Sequence, residues 1–213
     1  MSNPTDARPR GRFVVLDGVD GCGKSTQAEL LVERLEGQGE SVLHLREPGG
    51  SSLGEALRGL LLSREYDPRA EVETLLFAAA RRQLLDELVA PALREGRHVV
   101  CERFHPSTFA YQAVAGGLPE DEVLGLLRTW SNRPAPDLVL VLDLPTEAAL
   151  ARRGAASDRI EDKGQSFLER VAGGYRRYVE LGGDPATRLV SGEGTREEVG
   201  ARVWQEVQGV LGD

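Results

Sequence analysis

Five short apolar runs recur along the chain, at Phe13–Leu16, Ser41–Leu45, His98–Cys101, Leu138–Leu142 and Arg188–Val190. They are rich in Val and Leu and do not alternate polar with apolar positions, the pattern of strands covered on both faces. Longer segments with helical periodicity separate them, at about Lys24–Glu36, Ser52–Leu62, Glu71–Glu95, Ser107–Ala115, Pro119–Trp130, Thr146–Arg153, Gln165–Leu181 and Thr195–Leu211. Strands alternating with helices imply crossover units, hence a three-layer α/β fold with a five-stranded parallel sheet and helices on both faces. Gly173 and Gly174 fall inside one helix. Each costs roughly 0.5–1 kcal/mol there relative to Ala, so that helix bends or admits a close neighbour. No internal repeat or linker divides residues 13–213, which are read as a single domain.

Composition narrows the partners. Of 213 residues 40% are hydrophobic, enough for a sizeable core. A net charge of -8 argues against a nucleic acid polymer and leaves room for a small phosphorylated ligand held by local arginines. Residues 1–12 are polar and carry no apolar signal core, and no run approaches a membrane span. They are read as a disordered tail on a cytoplasmic protein that does not engage membranes. Cys22 and Cys101 are expected to be unbridged and inert, and His44, His98 and His105 show no metal-ligand spacing.

The stretch Gly18-Val19-Asp20-Gly21-Cys22-Gly23-Lys24-Ser25 fits the pattern G-x-x-x-x-G-K-[ST] and lies between the first apolar run and a helical segment that continues through Thr26. That strand, loop, helix context gives the motif its meaning. Its glycines let successive backbone N–H groups turn inward on a phosphate chain, and the helix start adds unsatisfied donors and the positive end of its dipole. Lys24 would reach the terminal phosphates and Ser25 would hold magnesium. Lys24 and Lys163 are the only lysines; every other basic side chain is Arg. A compact ammonium suits a cradle too tight for a planar fork. A nucleoside triphosphate is the expected ligand.

In open α/β sheets, ligands bind beyond the carboxyl ends of the strands. Those positions are unusually charged here: Asp17 and Asp20, then Arg46-Glu47-Pro48-Gly49-Gly50, then Glu102-Arg103-Phe104, then Asp143. Phosphoryl transfer depends on positioning and charge stabilisation more than on covalent help. Arg46 and Arg103, from separate strand ends, could grip an acceptor phosphate from two sides.

Five segments in order resemble the motifs of thymidylate kinase across nearly the whole chain: Phe13 to Gln27, Arg46 to Gly50, Leu75 to Arg81, Glu102 to Gln112 and Asp158 to Glu161. The resemblance implies a P-loop nucleoside monophosphate kinase fold, transfer of the γ-phosphoryl group of ATP to dTMP with magnesium, and a homodimer. It implies that residues 18–26 bind ATP, that Asp20 accepts from the sugar 3′-hydroxyl, and that Arg46 and Arg103 hold the dTMP phosphate. Phe77 then stacks on thymine and Arg81 donates to thymine O4. Thr108, beside Ser107, faces thymine N3, and Tyr111 crowds the sugar 2′ position. By periodicity alone Phe77 and Tyr111 read as core. A ring stacks on any base, whereas a guanidinium fork discriminates by leaving donors unpaired at the wrong edge.

The segment from Arg152 through Arg153 to Asp158 and Arg159 resembles a lid over ATP, expected at about 152–163. The phosphate loop has no cation at Gly21-Cys22, so the lid must supply one, as in the bacterial subtype; Arg153 and Arg159 are the expected catalytic cations beside Lys24 and Arg103, with Arg152 left open. The family pattern is broken twice. Glu102 stands where the family usually has Asp, so magnesium is held after a backbone shift or through a different water geometry. Ala80 stands where the family tends to carry Asp, so Arg81 must find its orienting partner elsewhere. The alternatives are a kinase for another nucleoside monophosphate and a P-loop switch; no Asn-Lys-x-Asp motif supports the latter.

Overall fold

Along the first strand, β1 (Phe13–Gly18), successive side chains enter two different cores. Val14 and Leu16 pack on one face of the sheet; Phe13 and Val15 pack on the other. This is why the run is continuously apolar. The computed structural model describes residues 10–131, 133–153, 158–182 and 186–212. Within it β1 is joined by β2 (Val42–Arg46), β3 (His98–Glu102), β4 (Leu138–Asp143) and β5 (Thr187–Ser191) in the order β2-β3-β1-β4-β5, every pairing parallel. The carboxyl end of the central strand therefore opens into the crevice where the connections diverge to either side.

The helices are α1 (Lys24–Gly37), α2 (Ser52–Leu62), α3 (Ala70–Leu84), α4 (Ala90–Arg94), α5 (His105–Thr108), α6 (Glu120–Trp130), α7 (Thr146–Arg153), α8 (Gln165–Glu180) and α9 (Arg196–Leu211). Leu31 and Leu35 of α1, Val171 and Tyr175 of α8 and Val203 of α9 meet Leu138 and Leu140 on one face. Leu84, Val89, Leu93 and Phe104 meet Val99, Cys101 and Val139 on the other. The three layers expected from the strand and helix alternation are present.

The segment expected as one helix over Glu71–Glu95 is α3 and α4 joined by a π-helical turn, Leu85–Val89. Pro91 explains the widening, because a proline there has no N–H to donate, and a wide turn before it absorbs the missing bond. A second wide turn, Phe109–Val114, continues α5. Residues 10–12, expected in the disordered tail, are tied down instead. The Gly11 amide donates to Leu93 O at 3.0 Å and the Arg12 amide to His98 Nδ1 at 2.9 Å. The rest of that tail lies outside the described residues. Among the described residues no helix is long and apolar enough to cross a membrane.

The glycine pair in α8 divides its roles. A Cβ on Gly174 would come within 2.7 Å of Ala110 Cα, so α8 approaches the wide turn there, whereas Gly173 has no neighbour within 4 Å of that position. Gly174→Ala should destabilise the fold by about 1–3 kcal/mol through overpacking, while Gly173→Ala should stabilise it by about 0.5–1 kcal/mol. Urea unfolding of both variants checks the contrast.

Candidate active site

A buried carboxylate organises the carboxyl end of β1. Asp17 accepts from the amides of Gly18 (2.8 Å), Phe104 (2.9 Å) and Ser107 (3.0 Å), from Ser107 Oγ (2.7 Å) and from the Tyr175 hydroxyl (2.8 Å). Five donors offset the loss of water around a fully buried group. They also bind the phosphate loop, the start of α5 and α8 to one point. Between them Arg103 adopts φ 69°, in the left-handed region, a strain of about 1–3 kcal/mol for a non-glycine residue held by its surroundings.

The phosphate loop closes against α7. Gly21 has φ 85°, and a Cβ there would lie 2.0 Å from Ala149 O, so no other residue fits. The side chains of Val19 and Cys22 enter the core, leaving Asp20, Gly21, Gly23, Lys24, Ser25 and Thr26 on the cleft wall. Lys24 Nζ curls back onto Gly18 O and Val19 O, each at 2.9 Å, and lies 3.6 Å from Asp20. Both cysteines are free and buried, and burial pushes their thiols up, away from the reactive thiolate.

The cleft holds about 620 Å³ and joins this loop to a second pocket. Arg103 forms an ion pair with Asp20, donates to Ser107 Oγ at 3.2 Å and lies over the Tyr111 ring, whose hydroxyl reaches Asp20 at 3.1 Å. Burial would raise the Asp20 carboxyl, but Arg103, Lys24 and Tyr111 outweigh it and hold the group far below the usual carboxylate range. Deeper in, Arg81 donates from Nε to Glu47 Oε2 at 2.6 Å and from Nη2 to Thr108 Oγ1 at 3.1 Å, with Phe104 4.8 Å away under its guanidinium. Its Nη1 and Glu47 Oε1 are buried with no hydrogen-bond partner among the described residues. Burial pushes the Glu47 carboxyl up to about 7 even against the pull of Arg81. Such an unpaired donor beside Phe77, on the cleft wall, suits a flat ligand that brings an acceptor.

At the other end Ser25 Oγ donates to Glu102 Oε2, and His44 Nε2 lies 3.1 Å from Glu102 Oε1. Burial alone would raise the Glu102 carboxyl, but these two hydrogen bonds lower it below its ordinary value. An ionised carboxylate beside a hydroxyl at the loop is a hard oxygen pair. Arg46 and Arg58 line the same cleft with Arg103. Arg58 donates to Pro48 O at 2.9 Å; burial and the nearby guanidiniums of Arg46 and Arg103 lower its pKa. With Arg103 already paired to Asp20, this concentration of guanidiniums suits an anionic ligand group.

The chain's residues 16–200 match the family model of thymidylate kinase. A thymidylate kinase of Pelotomaculum thermopropionicum is 42% identical over 193 residues, 85% of this chain and 89% of the relative. One from Afipia carboxidovorans is 41% identical over 211 residues, covering 96% and 92%, and one from Neisseria gonorrhoeae 44% over 167 residues, covering 77% and 81%. This chain belongs to the thymidylate kinase family.

Against the thymidylate kinase motifs, two expectations shift. Arg159, expected as a catalytic cation, forms an ion pair with Glu73 and donates to Leu61 O at 3.1 Å. Glu73 is only 3% exposed, and a buried carboxylate captures the nearest guanidinium. Arg152 does line the cleft and donates to Gly192 O at 3.4 Å. The side chain of Arg153 and residues 154–157 lie outside the described residues. His44, read as having no metal-ligand spacing, touches the Glu102 carboxylate.

Arg58, the Glu47 pairing and Gln112, which lines the cleft and donates to Glu73 at 3.0 Å, are site features that do not stand out in the sequence. Of these, only Glu47 carried a signal, as a charge just beyond an apolar strand, and nothing there named Arg81 as its partner. Because the Asp20 carboxyl is lowered on folding, its stabilisation is present above the ordinary value of 3.8 and is lost as pH falls below it. Asp20→Asn should lower stability at pH 7 by about 1.5–3 kcal/mol, with the gap to wild type closing below pH 3.8. Denaturant titrations across that range read the difference.

Proposed function

We propose that this chain transfers the γ-phosphoryl group of ATP to dTMP, giving dTDP and ADP. The observation that carries the reading is that the phosphate loop and Arg81 line one cleft, which Arg46, Arg58 and Arg103 line as well. The loop amides and Lys24 take the β- and γ-phosphates. Arg46, Arg58 and Arg103 hold the acceptor phosphate, releasing Asp20 to accept from the sugar 3′-hydroxyl. Phe77 stacks on thymine, Arg81 Nη1 donates to O4, Thr108 and Ser107 flank the base edge and Tyr111 bounds the sugar.

An oxygen of the dTMP phosphate bonds to the γ-phosphorus as the bond to the β–γ bridging oxygen breaks, and ADP carries away that electron pair. The nucleophile is already ionised, so the protein supplies alignment and cations rather than a general base. Arg152, on the cleft wall, and Arg153 beside it in sequence are the proposed lid cations. Magnesium fits the donors present. Ser25 Oγ and the Glu102 carboxylate would hold the ion together with oxygens of the nucleotide, since among the described residues no cluster of three acidic, His or Cys side chains could hold a metal. When bound it would neutralise charge on the β- and γ-phosphates.

The two free cysteines suit a reducing cytoplasm. Leu53 and Leu60 on α2 and Val72 and Leu75 on α3 are large apolar side chains left exposed on helices that pack together, and they support a homodimer through this face.

A coupled ADP-release assay with ATP, magnesium and a panel of nucleoside monophosphates tests the reading; turnover confined to dTMP and close analogues is expected, and ADP release independent of any acceptor would contradict it. Lys24→Ala should lower kcat by two or more orders of magnitude, whereas Arg81→Lys should mainly raise the dTMP KM because a point charge replaces a fork. Leu75→Glu should shift the sedimentation coefficient to that of a monomer.

A further inference from the structure

The longer glutamate arm at position 102 is not absorbed by the backbone. Glu102 stays in register with Leu16 of β1 and Arg46 of β2, and its carbonyl accepts from the Glu47 amide at 2.9 Å. The side chain therefore carries one more rotatable bond than an aspartate on the same ladder. Two contacts remove that freedom: Oε2 receives Ser25 Oγ, from the first turn of α1, and Oε1 lies 3.1 Å from His44 Nε2. His44 pairs across the sheet with Val100, two residues before Glu102, so the two side chains rise from one face as diagonal neighbours. An ionised carboxylate only accepts, so the shared hydrogen is carried by His44 Nε2.

We infer that His44 is a positioning residue for Glu102, holding Oε1 so that Oε2 stays on Ser25 and faces the divalent cation of the nucleotide. The inference rests on the kinase reading of this cleft and deepens it. His44 needs no contact with substrate: partners that orient a metal-binding carboxylate typically alter metal affinity about 10–100-fold when removed. Its side chain is 31% exposed on an edge strand, so replacing it opens no core cavity.

The test is a Mn²⁺ titration of the full chain saturated with ADP, read by electron paramagnetic resonance, alongside melting temperature and dTMP KM. His44→Phe, which keeps a planar ring without a donor, should weaken Mn²⁺ about tenfold while melting temperature and dTMP KM stay at wild-type values. His44→Gln, which restores an N–H, should recover most of the loss. In a Glu102→Asp background the same His44→Phe change should alter Mn²⁺ affinity less than about twofold, because the shorter arm no longer reaches the ring. Wild-type affinity in His44→Phe, no recovery in His44→Gln, or an equal loss in the aspartate background each overturns the inference and leaves the kinase reading standing. Absence of Mn²⁺ binding in the wild-type ADP complex would overturn the cleft assignment itself.

Discussion

One carboxylate, Asp17, sets the geometry on which the rest of the cleft depends. Its two oxygens take five hydrogen bonds, from the first residue of the phosphate loop, from the turn after β3 and from α8. A buried charge tolerates no slack in its partners, because each lost donor returns part of the desolvation penalty. The left-handed backbone of Arg103 survives in the middle of this arrangement, and with it the direction of the guanidinium that faces the loop. The half of the cleft that takes the phosphate donor and the half that takes the acceptor are thus two sides of one hydrogen-bonded centre.

Around that centre polar groups are held in pairs: Arg103 with Asp20 and Arg81 with Glu47 as ion pairs, Ser25 with Glu102 through a hydrogen bond. Each pair keeps a side chain fixed while leaving capacity for a ligand, most plainly the Nη1 of Arg81. Preorganised donors of this kind cost little reorganisation when a phosphate or a base edge arrives, which is how a phosphoryl transferase gains rate without covalent chemistry.

The sheet was legible because strands buried on both faces must be continuously apolar, and the phosphate loop because its glycines, lysine and serine are adjacent in sequence. What adjacency does not reveal was harder to read. Arg81 lacks an acidic neighbour at Ala80 and takes Glu47 from 34 positions away, brought to it only by the loop after β2. His44 looked idle because its meaning lies in a diagonal pair across two strands. Arg159 carries the right charge in the right motif, yet Glu73, buried and in need of a cation, draws it to α3. Pro91 puts a π-helical turn into a helix that periodicity alone draws as one regular rod, and the last residues of the expected tail dock through ordinary backbone hydrogen bonds that polar composition conceals. Position within a motif gives the residue type; the nearest unpaired charge decides where the side chain points.

The claim that Asp17 unites the two halves is tested most directly by amide hydrogen exchange on Asp17→Asn. An asparagine offers one acceptor oxygen and sets a donor against donors on the other side. The account predicts faster exchange both in the phosphate loop and in the segment from Phe104 to Ser107, with α9 unchanged as evidence that the fold persists. Exchange like that of the wild type, or an effect confined to one of the two segments, would contradict it.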